Sequence, residues 1–238
     1  MELSNIIFVV LFIAFMVLFV INLKKIISNI KLGRDVDRSD RKADRWKNMI
    51  RVALGQSKMT RRPIAGVLHI IVYVGFLIIN IEMIEIVVDG IFGSHRFLSS
   101  LMPQSLYNFL IGSFEVLAIL VLVACVIFLF RRNIIKVKRF WGKEMTKWPR
   151  SDANIILFFE ILLMTAFLLM NATDSILLSR GDSHYTVAFS TPISQYFQFL
   201  FSGLETSTLV LIERFTWWFH IIGILGFMNY VLISKHLH

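Results

Sequence analysis

Five apolar runs, each long enough to cross a lipid bilayer as a helix, constrain this chain more than any other feature of its sequence. A bilayer core about 30 Å thick needs roughly 20 predominantly apolar helical residues. Such runs cover about residues 6–22, 64–88, 106–130, 153–173 and 208–234. Backbone groups in lipid must bond within their own segment, so the sequence predicts an all-α bundle of five transmembrane helices. We treat residues 1–238 as a single membrane domain.

Composition supports a chain that lies mostly in lipid. Of the 238 residues, 56% are hydrophobic and 17% are charged, and the mean hydropathy is +0.70. A typical soluble domain has about a quarter charged residues. The single cysteine, Cys125, excludes an internal disulfide. It also excludes an iron–sulfur cluster held by this chain alone, because such clusters need about four thiolates.

The positive charge is concentrated in two loops. The chain has 25 Lys and Arg against 16 Asp and Glu, a net charge of +9. Most of the basic residues lie in the loops 24–62 and 131–150, whereas Arg96, Arg180 and Arg214 belong to the other side. The positive-inside rule therefore predicts an outside N-terminus, cytoplasmic basic loops and a cytoplasmic C-terminus. We expect a multi-pass protein of the cytoplasmic (inner) membrane.

Orientation and attraction to anionic lipid explain this charge without a nucleic-acid partner. A second interpretation stays open, in which residues 34–58 form an amphipathic cytoplasmic helix that docks a partner protein. Its apolar side would consist of Trp46, Met49, Ile50 and Leu54. The residue pattern of 193–201 predicts another short amphipathic segment, in the loop before the fifth span.

Four of the six histidines lie on, or at the end of, predicted helices. His69 follows Pro63 by six residues, about two turns inside the cytoplasmic boundary of the second span. His220 and His238 are 18 residues apart, which in a continuous helix places them on one face about 27 Å apart. His236 lies about 160° away from that face.

These positions predict axial ligands of a b-type haem. The second and fifth helices run in opposite directions, so His69 and His238 both lie near the cytoplasmic face, where a planar macrocycle takes one imidazole from each helix. His236 is the alternative to His238. Arg61 and Arg62, two turns before His69, are placed to pair with the haem propionates. Simpler interpretations stay open: hydrogen bonds between helices for the histidines, and positive-inside charge for the arginines.

Carboxylates inside lipid are costly, so those in the spans are candidates for function. We predict that Glu82 and Glu85, in the outer half of the second span, handle protons exchanged with a quinone; a water-lined polar cluster is the alternative. Glu213 beside Arg214 predicts an interfacial ion pair. The two remaining histidines, His95 and His184, fall in outer loops, where solvated or interfacial imidazoles are expected.

Two segments resemble a known family of membrane cytochromes. They are Arg61-Arg62-Pro63, Leu68-His69 and Gly75-Phe76-Leu77 in the second span, and Trp217-Trp218-Phe219-His220, Asn229-Tyr230 and Ser234-Lys235-His236-Leu237-His238 in the fifth. The chain resembles the five-helix cytochrome b subunits of the respiratory nitrate reductase gamma and heterodisulfide reductase membrane-subunit type. It looks most like the membrane domain that precedes a heterodisulfide-reductase-like iron–sulfur module in bacterial iron–sulfur oxidoreductases.

This resemblance implies electron transfer between the membrane quinone pool and a cytoplasmic iron–sulfur protein or domain, through haem b. His69 corresponds to the first histidine of the family's second helix, and His220 and His238 correspond to its fifth-helix pair. The sequence ends at His238, so we expect it to be the membrane portion of a longer polypeptide.

The chain departs from the family at one ligand position. Ile79 stands where the family has another histidine, ten residues after His69. The inner haem keeps both candidate ligands. For a second haem, three outcomes stay open: it is absent, it is five-coordinate through His220, or its other ligand is a group such as Met83 or Met170.

Two other functions stay open. One is a proton or ion transporter that uses the intramembrane glutamates Glu82, Glu85, Glu115 and Glu160, although no internal repeat is visible. The other is a haem-free anchor that recruits a cytoplasmic protein through the basic loops. The leading prediction is an electron-transfer cytochrome of a quinone-linked oxidoreductase, in which a partner or missing domain acts on any soluble substrate.

Overall fold

The fold is helical throughout the part of the chain that the structure describes. The computed structural model describes residues 3–37, 39–59, 62–142 and 146–234, and these contain no strand. Five helices are long and apolar enough to cross a membrane, which confirms the predicted all-α fold. They are α1 (Leu3–Lys31), α3 (Pro63–Phe92), α4 (Gln104–Asn133), α5 (Lys147–Ser179) and α6 (Thr206–Val231), with the short α2 (Lys42–Met49) between α1 and α3.

The long helices form a bundle with two distinct ends. In chain order α3 packs on α4, α4 on α5 and α5 on α6, while α1 contacts both α3 and α6. We call the end that carries residues 32–62 and 134–146 the basic end. The opposite end carries residues 93–103 and 180–205. The positive-inside prediction assigns the basic end to the cytoplasm.

Backbone chemistry explains where the second span begins and ends. Pro63 is the first residue of α3, where a missing N–H costs nothing and the fixed φ suits a helix. Gly93 ends the helix with φ 73°, and its N–H donates to the Asp89 carbonyl oxygen at 2.8 Å. A residue in the left-handed conformation at this point turns the chain back over the bundle, and glycine adopts that conformation without strain.

The fifth span is shorter than predicted. Helix α6 ends at Val231 and residues 232–234 form a turn, so the prediction that it extends to residue 234 is wrong at that end. The continuous helix that would place His220 and His238 on one face therefore stops before His238. Within the described residues, the same-face argument for these two histidines is not supported.

The two predicted amphipathic segments are present over shorter ranges. In the basic loop, α2 continues into a π-helical turn over Ile50–Leu54, and Trp46 remains 62% exposed. The segment predicted at residues 193–201 is a 3-10 helix over Ser194–Leu200. The apolar side of the α2 segment is thus uncovered in the described part of the chain.

One aromatic contact attaches α1 to the bundle. The Phe8 ring is 2% exposed and lies over Gly90 of α3, where an added Cβ would approach it to 2.6 Å. Its centroid lies 5.7 Å from Trp217 and 6.1 Å from Trp218 of α6. Asn5 adds a hydrogen bond from Nδ2 to the Gly90 carbonyl oxygen at 3.0 Å. Phe8 therefore joins α1 to α3 and α6 at the opposite end.

We predict that Phe8→Ala lowers the free energy of unfolding by about 3 kcal/mol, because it leaves a cavity between three helices. Val10→Ala is the matched control, since Val10 is 61% exposed on the same helix. Thermal unfolding in a mild detergent measures both. Equal midpoints for the two variants would contradict the role of Phe8.

Candidate functional site

A buried arginine organises the opposite end of the bundle. Arg96 is 5% exposed, and its Nε and Nη2 lie 2.8 Å and 2.7 Å from Oδ2 of Asp174 on α5. Nη2 also donates to Asn171 Oδ1 at 2.8 Å, and the guanidinium lies 3.5 Å from the centre of the Phe189 ring. Burial, the largest single effect, would lower the pKa of Arg96, but Asp174, Tyr107 and Glu85 together outweigh it and raise this pKa well above its ordinary value. The guanidinium therefore stays charged.

Two carboxylates of α3 hold the loop that carries Arg96. Asp89 accepts the backbone N–H groups of Arg96 at 2.8 Å and Phe97 at 3.1 Å. Glu85 accepts the N–H of Leu98 at 2.9 Å and the Tyr107 hydroxyl of α4 at 3.2 Å. Glu85 is thus fully engaged in positioning this loop, which matches the polar-cluster alternative better than a free proton carrier.

Glu115 of α4 has a similar positioning role. Its Oε2 accepts the N–H groups of Ile193 at 2.9 Å and Ser194 at 3.0 Å, and its Oε1 accepts the Ser194 hydroxyl at 2.5 Å. Asn171 of α5 donates to the same Oε1 at 3.0 Å. Because four donors fix this side chain, it ties α4 and α5 to the loop before α6.

Glu82 differs from these carboxylates. It is 3% exposed, and its Oε2 has no hydrogen-bond partner in the described part of the chain. Seven residues separate it from Asp89, so the two side chains share a face of α3 about 10 Å apart along the axis. A buried oxygen without a partner is costly. Such groups are often protonated or used to carry protons.

Of the two loop histidines, His184 is exposed as expected, whereas His95 is largely covered. His95 Nε2 lies 3.1 Å from Asp174 Oδ2, and only 12% of its side chain is exposed. Its ring packs against Tyr185 at 5.1 Å and His184 at 5.2 Å between centroids. Partial burial, followed by the charges of His95 and Arg214, lowers the pKa of His184. These rings join the Arg96 network to the surface.

The predicted Glu213–Arg214 ion pair is present. Arg214 Nε lies 2.5 Å from Glu213 Oε2, and the Tyr185 hydroxyl donates to the same oxygen at 2.6 Å. Burial and the Glu213 charge raise the pKa of Tyr185. The phenol therefore keeps its proton and acts as a donor.

A cleft of about 320 Å³ opens beside this network, between α1, the end of α3 and α6. Its polar and aromatic walls include Asp89, His95, His184, Tyr185, Arg214, Trp217 and Trp218. Trp217 precedes His220 by three residues, which places the cleft about one helical turn from that histidine. Flat aromatic walls with nearby donors and acceptors suit a planar ring that carries polar oxygens.

His220 lies in the middle of α6 and is 2% exposed. Its Nδ1 lies 3.0 Å from the carbonyl oxygen of Leu163 on α5. A carbonyl oxygen only accepts, so Nδ1 carries the proton and Nε2 of the neutral ring keeps its lone pair. Histidines that bind metal commonly make this bond, which fixes the ring orientation. His220 therefore fits an axial ligand of haem iron.

His69 is half-buried on α3. It lies about 120° around the helix from Gly75, and Gly75 directly contacts Val121 of α4. His69 therefore lies on a different face of α3 from Gly75. The expected partners His236 and His238, together with Arg61, lie outside the described residues. Arg62 is exposed at the basic end, just before α3.

The described residues contain no group of three or more His, Cys, Asp or Glu side chains suited to a metal ion. A haem iron needs only one or two axial side chains. Of the alternative ligands for a second haem, Met170 is buried on α5 and Met83 is partly buried on α3.

Sequence reasoning missed the partners of Arg96. Asp174, Asn171 and Tyr107 were not singled out, although all three are buried. A signal was present, because Asn171 and Asp174 lie three residues apart and so share one face at the end of an apolar run. Polar residues at helical spacing in such a run indicate a face turned toward the protein interior.

Comparison with known proteins shows that the chain is similar to two proteins named as oxidoreductases. It is 28% identical over 226 residues to the probable iron-sulfur-binding oxidoreductase FadF of Bacillus subtilis (strain 168), covering 93% of this chain and 29% of that protein. It is 24% identical over 210 residues to the EtfAB:quinone oxidoreductase of Syntrophomonas wolfei subsp. wolfei (strain DSM 2245B / Goettingen), covering 86% of this chain and 28% of that protein.

The chain thus spans less than a third of the length of these curated relatives. No protein-family model matches it. No solved structure matches it either. Neither relative is named as a nitrate reductase gamma subunit or a cytochrome b, so that part of the resemblance stays a prediction.

We predict that Asp174→Asn lowers the free energy of unfolding by about 3 kcal/mol, because it leaves the Arg96 guanidinium buried without a counter-charge. Asp40→Asn breaks an exposed pair with Arg45, formed at 2.8 Å, and should cost less than about 1 kcal/mol. Thermal unfolding of both variants tests this difference. Similar losses would contradict the central role of the buried pair.

Proposed function

We propose that this chain is an electron-transfer membrane domain that carries electrons between a quinone and an iron–sulfur partner through haem b. The names of its two relatives, an iron–sulfur-binding oxidoreductase and a quinone oxidoreductase, support this proposal. Five apolar helices supply the low-dielectric surroundings that such a carrier needs. Haem b, when bound, accepts and donates one electron at a time.

The observation that carries the proposal is the hydrogen bond between His220 Nδ1 and the Leu163 carbonyl oxygen. This bond holds a neutral imidazole in the bundle interior with its Nε2 lone pair available. We assign His220 as an axial ligand, with Met83 or Met170 as the candidate opposite ligand.

For the inner haem, near the basic end, we propose His69 and His238 as ligands, with His236 as the alternative. The half-buried position of His69 near the start of α3, at the basic end, supports this assignment. Arg61 and Arg62 are proposed to pair with the propionates.

The cleft at the opposite end is the proposed quinone site. Trp217 and Trp218, whose rings meet edge to face, would give a quinone ring one aromatic wall, and Tyr185 and His95 offer polar groups at its edge. The cleft lies about one turn from His220, so electrons have a short path. Glu82 is proposed to exchange protons with the quinone, because it keeps an unpartnered oxygen on the face of α3 that reaches the cleft at Asp89.

The iron–sulfur partner is proposed to dock at the basic end. The uncovered apolar side of the α2 segment and the surrounding basic loops support a contact with a protein surface there. Because the relatives are more than three times longer than this chain, such a partner can belong to the same polypeptide or to a separate protein.

The transporter alternative is less well supported. A proton or ion path needs carboxylates that can change partners, whereas Glu85 and Glu115 are held by backbone and hydroxyl donors. Of the glutamates considered, Glu82 keeps an unpartnered oxygen in the described part of the chain. This arrangement favours local proton exchange at one end of the bundle.

The haem proposal predicts a reduced-minus-oxidised α band and a pyridine haemochrome for the protein purified in mild detergent. His220→Phe should remove one haem per chain, and His69→Ala should remove the other, because each loses an axial ligand. His184→Gln is the control, since its ring lies at the surface. A colourless preparation from haem-replete cells, or an unchanged haem content in both variants, would refute the proposal.

The proton proposal predicts that Glu82→Gln slows haem reduction by quinol about a hundredfold, the usual contribution of a positioned proton carrier. Reduction by dithionite should be unchanged, because it bypasses the quinone. Glu160→Gln, on α5, is the matched control and should keep the normal rate. Normal quinol reduction in Glu82→Gln would show that Glu82 has no such role.

A further inference from the structure

A second cavity, of about 340 Å³, lies at the basic end, far from the cleft. It is formed by the start of α3, the end of α4 and the facing side of α5. Three arginines, Arg62, Arg131 and Arg132, line it together with apolar walls that include Phe128, Phe140 and Leu157. Positive charge and apolar surface thus meet in one space between helices.

Arg132 is the central charge of this cavity. It is 6% exposed, and its Nε donates to Asn154 Oδ1 at 2.9 Å while its Nη2 donates to the Arg150 carbonyl oxygen at 3.2 Å. Its guanidinium carbon lies 4.9 Å from the centre of the Phe140 ring. These hydrogen-bond and ring partners fix the side chain and are all neutral.

The charge of one carboxylate, Asp152, acts on Arg132, and it does not balance three arginines. Within the described ranges, none of them has an Asp or Glu oxygen within 4 Å of its side-chain nitrogens. Asp152 of α5 accepts a hydrogen bond from Tyr230 of α6. A buried guanidinium without a counter-charge is unfavourable. The cavity is therefore suited to an anion that comes from outside the chain.

The walls specify what kind of anion fits. Phe128 and Leu157 continue the cavity along the apolar sides of α4 and α5, and Ile64 of α3, also in its lining, is 64% exposed. Apolar walls do not favour the binding of a small hydrated anion. They favour an anion joined to hydrocarbon chains, because the arginines attract its charge while the apolar walls bury its chains.

We propose that this cavity binds an anionic glycerophospholipid, with its phosphate between Arg131 and Arg132 and an acyl chain along Phe128 and Leu157. Planar guanidinium groups bind phosphate oxygens in pairs. The lipid joins the start of α3 to α4 and α5. Of the residues assigned to the proposed haem and quinone sites, this cavity shares Arg62, the proposed propionate partner at its rim.

The test uses the full chain in nanodiscs that contain phosphatidylcholine with a minor share of phosphatidylglycerol. Native mass spectrometry after release counts the lipids retained on each chain. The unaltered chain should retain phosphatidylglycerol in preference to phosphatidylcholine. Arg132→Gln and Arg131→Gln should each weaken this retention about fivefold, the usual contribution of one arginine near an anionic lipid.

Arg34→Gln is the matched control, because Arg34 is exposed at the basic end and does not line the cavity. It should retain phosphatidylglycerol like the unaltered chain. Arg131→Gln tests the same site if Arg132→Gln does not fold. Arg131 is only half-buried, whereas Arg132 is buried.

Three outcomes would overturn the proposal. The first is equal retention of the two lipids by the unaltered chain. The second is equal weakening by Arg34→Gln, which would indicate a general surface charge effect. The third is full displacement of phosphatidylglycerol by inorganic phosphate, which would indicate a phosphate site without a lipid. Unchanged haem content in Arg132→Gln would support the separation of this cavity from the haem.

Discussion

The buried ion pair between Arg96 and Asp174 governs the opposite end of the bundle. A guanidinium in this position is tolerated only with a counter-charge and further acceptors, and α5 supplies both through Asp174 and Asn171. The loop that carries Arg96 is held in turn by Asp89 and Glu85 of α3. Three spans are thereby fixed relative to one another at the depth where the cleft opens.

This arrangement divides the intramembrane carboxylates by role. Glu85 and Glu115 hold loops and have their oxygens occupied by donors, whereas Glu82 keeps an oxygen without a partner in the described residues. The separation follows from burial, since a carboxylate inside a bundle must find donors or change its protonation. Of these three carboxylates, Glu82 is therefore the one proposed to carry protons.

The cleft at the opposite end and the cavity at the basic end differ in the charge of their lining residues. The cleft at the opposite end combines aromatic rings with a balanced set of acidic and basic groups. The cavity at the basic end has arginines and apolar walls without a paired carboxylate in the described residues. A neutral planar ring suits the first and an anionic amphiphile suits the second, so each end of the bundle presents its own binding chemistry.

Periodicity and hydropathy were enough to predict the helical class, the five spans and the short segments around residues 46 and 197, because lipid permits few backbone solutions. The same reasoning singled out His220 and the Glu213–Arg214 pair, since polar groups in apolar runs are conspicuous. It misjudged His95, which is bound to Asp174. It also extended α6 too far, because local propensity does not reveal where packing ends a helix.

The sequence by itself determined that the chain is a bundle of apolar helices with its positive charge at one end, because these properties depend only on residue type and order. The tertiary structure decided which polar side chains are occupied and which remain available. It brought Asp174 to Arg96 and the Leu163 carbonyl to His220 across long separations in the chain. Such pairings arise only when helices pack, because no local spacing relates residues on different spans.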